Sequence, residues 1–441
     1  MLPDPSVSLP PSLMAVLSLF AGCFTAPTFR TFCALAAGLA AQTGRRTVCG
    51  MILGAGLGGV VRHERFHRFF SAAAWCPDEL GLALARLLAD RLIPPGAELV
   101  VVVDDTLLKR WGRKVFGVFW THDGAAQGKE KLGRGNRWVV AAIVVHLPFT
   151  TIPVGVPVLA RLWRGKGTAP PTELAKDMVL VLAAAFPGRR IQVVGDAAYH
   201  SKVLRDLPPQ VSWVCRLAAT AVLQGPRPPR TGRRGAPRKI GDRLGTCAEI
   251  AATATWAQHR LQVYGQATAM SIAQLTGQWY TVFGVTPVRI ILVRNDADRS
   301  GKAYHLGLIT TDTTSPVAGL VVRYAMRWSI EVIFEQIRNL LGAGQARNRL
   351  QKAVERTFPF QLTVYGIVLA WYALHGHAST DVRQRRLTCP WYRTKTQASY
   401  EDMLATLRAA LAMPRYSPVF PGQHQDPEIQ AMLVTPVSTA A

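Results

Sequence analysis

The chain has 441 residues, with 51 Lys and Arg against 27 Asp and Glu, a formal net charge of +24. At 49% hydrophobic and 18% charged residues it can bury a large core, which excludes both a disordered polyelectrolyte and a mini-protein. Seven scattered cysteines (23, 33, 49, 76, 215, 247 and 389) form no Cys-x-x-Cys pair, which excludes a disulfide framework and a zinc ribbon and suits a reducing compartment. The positive field calls for a polyanionic partner, and in that compartment the polyanion expected is nucleic acid.

Residues 1–93 read as a helical, DNA-binding domain with short breaks. The stretch from Ser12 to Gln42 is apolar enough to suggest a membrane span, but Arg30 and Pro27 interrupt it, so buried helices and no membrane partner are expected. His63-Glu64-Arg65-Phe66-His67 matches the His-Glu-x-x-His pattern. It lacks the third His of the extended form and lies in a basic segment, so a zinc protease is only a minor alternative. Gly54 to Gly59 satisfies Gly-x-Gly-x-x-Gly without a convincing strand before it, and reads as a turn between helices. Residues 45–71 are expected to form a helix-turn-helix variant.

Pro94-Pro95-Gly96 stops the last of these helices. Glu98 to Val103 is then a continuous apolar, β-branched run of the kind buried on both faces, ending in Asp104-Asp105. Trp138–Leu147 and Ile152–Leu162 read as strands, Thr172–Phe186 as a helix, and Ile191–Asp196 as a second buried strand ending in a carboxylate. This order predicts an α/β fold with a mixed sheet in which the first and fourth strands are parallel neighbours, bringing Asp104 and Asp196 to one edge. Lys109, Arg110, Arg113, Lys114, Lys129, Lys131, Arg134 and Arg137 cluster around the first strand, and are expected to position DNA through its phosphates. Arg227, Arg230, Arg233, Arg234, Arg238 and Lys239 form a basic loop within residues 226–239. Trp279–Phe283 and Arg289–Arg294 read as strands, and Ser315-Pro316 opens one long helix ending at Gly342. On that helix Val322, Met326, Ile330, Ile333, Phe334, Ile337, Leu340 and Leu341 form an apolar face, opposite a stripe of Tyr324, Arg327, Glu331, Glu335 and Arg338. Trp138 and Trp328 are expected mainly in the core.

The spacing of Tyr324, Arg327, Glu331 and Arg338 resembles the Tyr-Arg-Glu-Lys signature of a large group of bacterial insertion-sequence transposases, with Arg in place of the final Lys. Asp104-Asp105-Thr106 and Gly195-Asp196-Ala197-Ala198-Tyr199 are similar to the first two Asp motifs of the same DDE transposases. The resemblance implies an RNase H-like core; with it the expected organisation is a core over residues 94–345 with a β-rich insertion at about 217–312, followed by a C-terminal helical region with a Pro-rich tail over 346–441, to which the resemblance adds little. It implies a catalytic trio of Asp104, Asp196 and Glu331 holding Mg²⁺ or Mn²⁺, two ions in all, with Tyr324, Arg327 and Arg338 on DNA. The Asp-x-Thr pattern selects Asp104, with Asp105 as second choice. The expected partners are double-stranded DNA (terminal inverted repeats and target) and a second copy of the chain on DNA, in the nucleoid-associated cytoplasm. Phosphoryl transfer asks for such a set on its own account, because two divalent ions neutralise the attacking and leaving oxygens and hard ions take carboxylate oxygens. A DNA-binding protein derived from a transposase, without catalysis, is the alternative.

Overall fold

The computed structural model describes residues 9–124, 126, 130–229 and 236–416. In chain order the helices α1 (Pro11–Ser18), α2 (Ala26–Ala41), α3 (Val48–Gly54), α4 (Glu64–Ser71) and α5 (Pro77–Arg91) lead into strands β1 (Leu99–Lys109), β2 (Phe119–His122), β3 (Leu132–Val145) and β4 (Val154–Trp163). Helix α6 (Pro171–Ala185) precedes β5 (Ile191–Gly195) and β6 (Val211–Arg216). A small pair, β7 (Leu223–Gln224) and β8 (Arg243–Gly245), and helix α7 (Cys247–Thr253) lead to β9 (Ala257–Val263), β10 (Gln266–Gly277), α8 (Tyr280–Phe283), β11 (Val288–Asn295) and β12 (Leu306–Thr310). Then follow α9 (Val317–Ala325), α10 (Trp328–Leu341), α11 (Gln351–Trp371), α12 (Asp381–Thr388) and α13 (Tyr400–Tyr416). The chain divides into a helical unit, comprising residues up to Leu88, Gly112–Phe116 and residues from Glu335 on, and a sheet unit comprising Ala89–Trp111 and Gly117–Phe334. The N-terminal helices and the C-terminal helical region thus belong to one unit.

In the helical unit, the glycines at 38 and 54 let two helices meet backbone to backbone. A Cβ at Gly38 would lie 2.0 Å from the Met51 carbonyl oxygen, and one at Gly54 2.2 Å from that of Gly38. The first glycine of the Gly-x-Gly-x-x-Gly run therefore serves the packing of α2 on α3. Phe32, Phe69 and Phe70 close on Phe360 with ring centroids 5.3–6.0 Å apart. Helix α11 is apolar and long enough to cross a membrane, yet 89% of its most apolar window is buried by the rest of the protein, as in a core helix. Arg356 of α11 is buried and donates to the carbonyls of Phe70, Ala73 and Trp75, with its guanidinium 4.8 Å from the Trp75 ring centroid. It satisfies acceptors that the end of α4 leaves open. Arg356→Leu should therefore lower stability by about 2–4 kcal/mol, since several buried carbonyls lose a charged donor. Urea denaturation of the two proteins checks this, and equal midpoints would refute it.

The sheet unit holds a ten-stranded sheet in the order β2-β3-β1-β5-β6-β12-β11-β10-β9, with β4 also on β3. The β1/β5 and β5/β6 pairs are parallel, as the sequence predicts for β1 and β5, and the other pairs are antiparallel. Val101, Val102 and Val103 are fully buried, which is what a run of β-branched residues does in the middle of a sheet. One expectation is corrected here: β1 does not end at Asp104-Asp105. Its ladder with β3 persists to the pair Lys109 and Gly135, whereas β5 stops at Gly195, so both aspartates lie mid-strand just past the end of the parallel neighbour. Strands β9 to β11 fall between β6 and β12 in sequence, and they continue the sheet outward from β12.

Two further expectations are corrected. Trp279–Phe283 is not a strand: Tyr280–Phe283 turns as the short helix α8 and stops at Gly284, whose φ is +63°. The helix expected from Pro316 to Leu341 breaks at Met326-Arg327, where the amides of Arg327, Ser329 and Ile330 bond the carbonyls three residues back. The single helix expected is therefore two, joined by a tighter turn, and Tyr324 is buried rather than on an open stripe. Arg323 of α9 pairs with Glu98 at 2.9 Å and donates to Gln192 Oε1 at 3.2 Å. Gln192 in turn donates to Asp312 Oδ2 at 3.2 Å. Helix α9 is thereby pinned to the first residues of β1 and β5.

Candidate active site

The crevice forms because β1 runs on after β5 has ended. Open sheets place ligands at the carboxyl ends of parallel strands, where loops diverge. Asp104 stands at that point on β1. Asp196 follows the last residue of β5, and its side chain accepts from the Ala198 amide at 2.7 Å, capping the turn that carries Tyr199. The register Val102 opposite Val194 brings the two aspartates to one sheet edge. Arg327 enters from the α9–α10 break: its Nη1 lies 3.0 Å from Asp104 Oδ2 and its Nη2 2.7 Å from Glu331 Oε1. One guanidinium therefore spans two of the three carboxylates.

Burial is the main reason the Asp104 carboxyl is pushed up to about 7, and the charges of Asp196 and Asp105 act in the same direction. The Asp105 amide, 2.8 Å from Asp104 Oδ1, and the Arg327 guanidinium oppose that rise without cancelling it. Burial thus disfavours the charged form of Asp104 more than its amide and guanidinium donors restore it. The donors at this edge are carboxylate oxygens, the set that hard divalent ions take. In this arrangement no three His, Cys, Asp or Glu side chains among the described residues stand close enough together to hold an ion. Asp104 and Glu331 are joined through Arg327 instead.

The alternation of side chains along β1 separates Asp105 from its neighbour. Asp105 pairs with Arg137 at 2.5 Å and lies 3.4 Å from the Tyr199 hydroxyl. Arg137 also donates to Thr121 at 3.1 Å and lies 5.3 Å from the Trp163 ring centroid. Burial, followed by the charges of Asp105, Asp104 and Asp196, holds the Tyr199 hydroxyl well above its ordinary pKa. This Asp105-Arg137-Tyr199 group was not singled out from the sequence. The only sequence signal for it was that Asp105 must face away from Asp104.

Of the other expected site residues, Tyr324 stays beside Arg327 and Asp196, whereas the rest are dispersed. Tyr324 is buried; its hydroxyl is raised by that burial, with Arg327 and Arg216 opposing and Asp196 adding. Arg338 and Glu335 are exposed on α10. Of the basic cluster, Arg113 and Lys114 are exposed, Lys109 pairs with Asp123 at 2.9 Å, and Arg134 donates to the Arg110 carbonyl at 3.0 Å. Arg110 is buried and Arg137 is engaged by Asp105, so neither offers the open cation expected for a phosphate contact. In the basic loop Arg227 and Lys239 are exposed and Arg238 pairs with Asp242 at 2.9 Å, while Arg230, Arg233 and Arg234, like Lys129, lie outside the described residues. Trp138 is in the core, as expected, but Trp328, next to Arg327, is 53% exposed, contrary to the core role expected for it. His63 and His67 meet edge to face with ring centroids 5.8 Å apart.

The model of one protein family, described as DDE superfamily endonuclease, matches residues 19–278. The match spans more than half of the chain and both Asp motifs. The chain belongs to the DDE superfamily endonucleases, and its mixed sheet with flanking helices is the RNase H-like core of that class. The match ends before the α9–α10 segment that carries Glu331. No curated protein matches the chain.

Proposed function

We propose that this endonuclease is an insertion-sequence transposase of the group with the Tyr-Arg-Glu-Lys signature, which cuts and joins DNA strands at element ends. The observation that carries the reading is the Asp104–Arg327–Glu331 chain of ion pairs at 3.0 and 2.7 Å. It ties the helix half of the signature to Asp104 on β1. Asp104, Asp196 and Glu331 are the residues that would hold Mg²⁺ or Mn²⁺. Bound there, the ions would supply Lewis-acid stabilisation of charge on phosphate oxygens.

The chain's own residues hold and orient the rest. Asp105, tied to Arg137, keeps a second negative charge beside the crevice without entering the carboxylate set. Arg327 holds Asp104 and Glu331 in register, and its planar guanidinium would also suit a phosphate beside them. Exposed Arg338, Arg113, Lys114, Arg227 and Lys239 contact the duplex backbone and position it. The substrate is double-stranded DNA with terminal inverted repeats, bound by a dimer of the chain in the nucleoid-associated cytoplasm.

Two measurements test this. Purified protein should nick supercoiled DNA bearing the flanking repeats in Mg²⁺ and not in EDTA; absence of nicking in both Mg²⁺ and Mn²⁺ would leave the non-catalytic DNA-binding alternative. Mn²⁺ at a hundredfold excess over its Kd should also stabilise the protein by about 2.7 kcal/mol. Asp104→Asn combined with Asp196→Asn should remove that gain in a thermal-shift experiment. An equal gain in the double variant would place the ion elsewhere.

A further inference from the structure

In the helical unit the segment from Arg383 to Arg393 has two contrasting faces. Its inner face is fastened. Arg385 pairs with Asp402 at 3.2 Å and Lys395 pairs with the same carboxylate at 2.6 Å. Both cations lie over the Tyr392 ring, 5.7 and 5.2 Å from its centroid. Asp402 also accepts from the Ser399 amide at 2.7 Å, and the loop closes on itself through Cys389 N to Arg385 O, Tyr392 N to Cys389 O and Lys395 N to Tyr392 O. These contacts hold a short helix and the loop after it in one shape.

On the outer face no ion pair is made among the described residues, and Trp391 meets only the Tyr392 ring, tilted, with centroids 6.1 Å apart. Arg383, Arg386 and Leu387 share one side of α12, at spacings of three and four residues, and Trp391 and Arg393 follow. All five are exposed, Leu387 by 74% and Trp391 by 71%. Arg383, Arg386 and Arg393 make no hydrogen bond or ion pair among the described residues. A large indole held open to water on an ordered loop leaves its burial energy unused. Three unneutralised guanidiniums beside it add mutual repulsion. Both costs vanish against a polyanion that offers flat aromatic faces.

We infer that α12 and the loop to Arg393 form a second DNA-contact surface, in which Arg383, Arg386 and Arg393 neutralise phosphates and Trp391 stacks on an unpaired base. The cations favour this partner over a second copy of the same surface, which would bring six like charges together. Bases within intact duplex are already stacked on each other, so the indole selects single-stranded or frayed DNA. The inference rests on the reading of the chain as an enzyme acting on DNA, and adds to it a surface on the helical unit that senses strand separation.

The test uses the full chain, a fluorescent single-stranded oligonucleotide and the matching duplex, with Kd measured across a salt series. Arg383→Ala, Arg386→Ala and Arg393→Ala together should flatten the log K against log salt slope on the single strand by about two units, at roughly 0.7 per lost phosphate contact. Trp391→Ala should weaken single-strand binding by about 5- to 150-fold and duplex binding by much less, and Trp391→Phe should restore most of the loss. All four side chains are exposed, and far-UV circular dichroism confirms the fold of each variant. An unchanged slope in the triple variant, or equal loss on single strand and duplex in Trp391→Ala, overturns the inference while wild-type binding keeps the functional reading intact. Failure of the wild type to bind either DNA overturns both. If the triple variant changes sedimentation from dimer to monomer with DNA affinity unaltered, the surface is instead a contact between copies of the chain.

Discussion

Asp104→Asn and Asp196→Asn should each reduce Mg²⁺-dependent DNA cleavage by at least about a hundredfold, because losing a carboxylate ligand removes several kcal/mol of charge stabilisation. DNA binding should stay within a few-fold, since neither aspartate is a cation that phosphate would seek. Asparagine keeps size and one oxygen, and Asp196→Asn retains an acceptor for the Ala198 amide, so the turn survives and the loss can be assigned to charge. Asp105→Asn is the control one residue away. It weakens the pair with Arg137 and should cost about 1–3 kcal/mol of stability, as expected for a largely buried pair losing one charge, with cleavage reduced less than tenfold. Strand cleavage by Asp104→Asn at wild-type rate, with Asp105→Asn inactive, would move the first ligand one residue along β1.

The strands that position the two aspartates were legible because burial on both faces favours a β-branched apolar run: Val100–Val103 is unbroken, and Ile191–Gly195 is interrupted only by Gln192, which is buried with hydrogen-bond partners. Where β1 ends was not legible. Nothing in Asp104-Asp105-Thr106-Leu107-Leu108-Lys109 announces that β3 will go on pairing with it to Gly135, because that is a property of the partner strand. The outer strands β9 and β10 were missed for a similar reason: residues such as Gln258, Arg260 and Gln262 alternate only weakly, and the sheet itself provides their order. Trp279–Phe283 was misread because a short run of aromatic and β-branched residues fits a strand or a buried helical turn equally well.

The break at Met326-Arg327 is the most instructive discrepancy. An apolar period of 3.6 residues runs through it undisturbed, since tightening by one hydrogen bond shifts the following face only slightly in the sequence pattern. Its structural consequence is large. Arg327 and Glu331 lie beside Asp104, Tyr324 is buried next to Arg327, and Trp328 is exposed. Residue spacing put Arg327 and Glu331 on one helix face, but could not show that the Arg327 guanidinium bonds Asp104 and Glu331 together.

Glu331→Gln should lower cleavage at least about a hundredfold, whereas Glu335→Gln should leave most of it. The two acids lie one turn apart on α10, and spacing alone permits either as third ligand. Glu331 is half-buried and 2.7 Å from the guanidinium that also holds Asp104, while Glu335 is exposed. An exposed helix carboxylate contributes at most a few tenths of a kcal/mol through a neighbour at three or four residues, so its loss should be close to neutral for stability as well. Arg327→Gln supplies the third arm. Without its guanidinium Asp104 and Glu331 face each other with Asp196 nearby, and the metal-free protein should lose about 1–3 kcal/mol, less than for a fully buried pair because Glu331 is partly solvated. Saturating Mn²⁺ should recover more stability in Arg327→Gln than in wild type, since the ion replaces the missing cation. Calorimetric scans of the three variants with and without Mn²⁺, run beside the nicking assay, separate the outcomes. If Glu335→Gln is inactive and Glu331→Gln is not, the third ligand lies one turn further along the helix. An equal response of Arg327→Gln and wild type to Mn²⁺ would mean that the arginine and the ion do not share the same carboxylates.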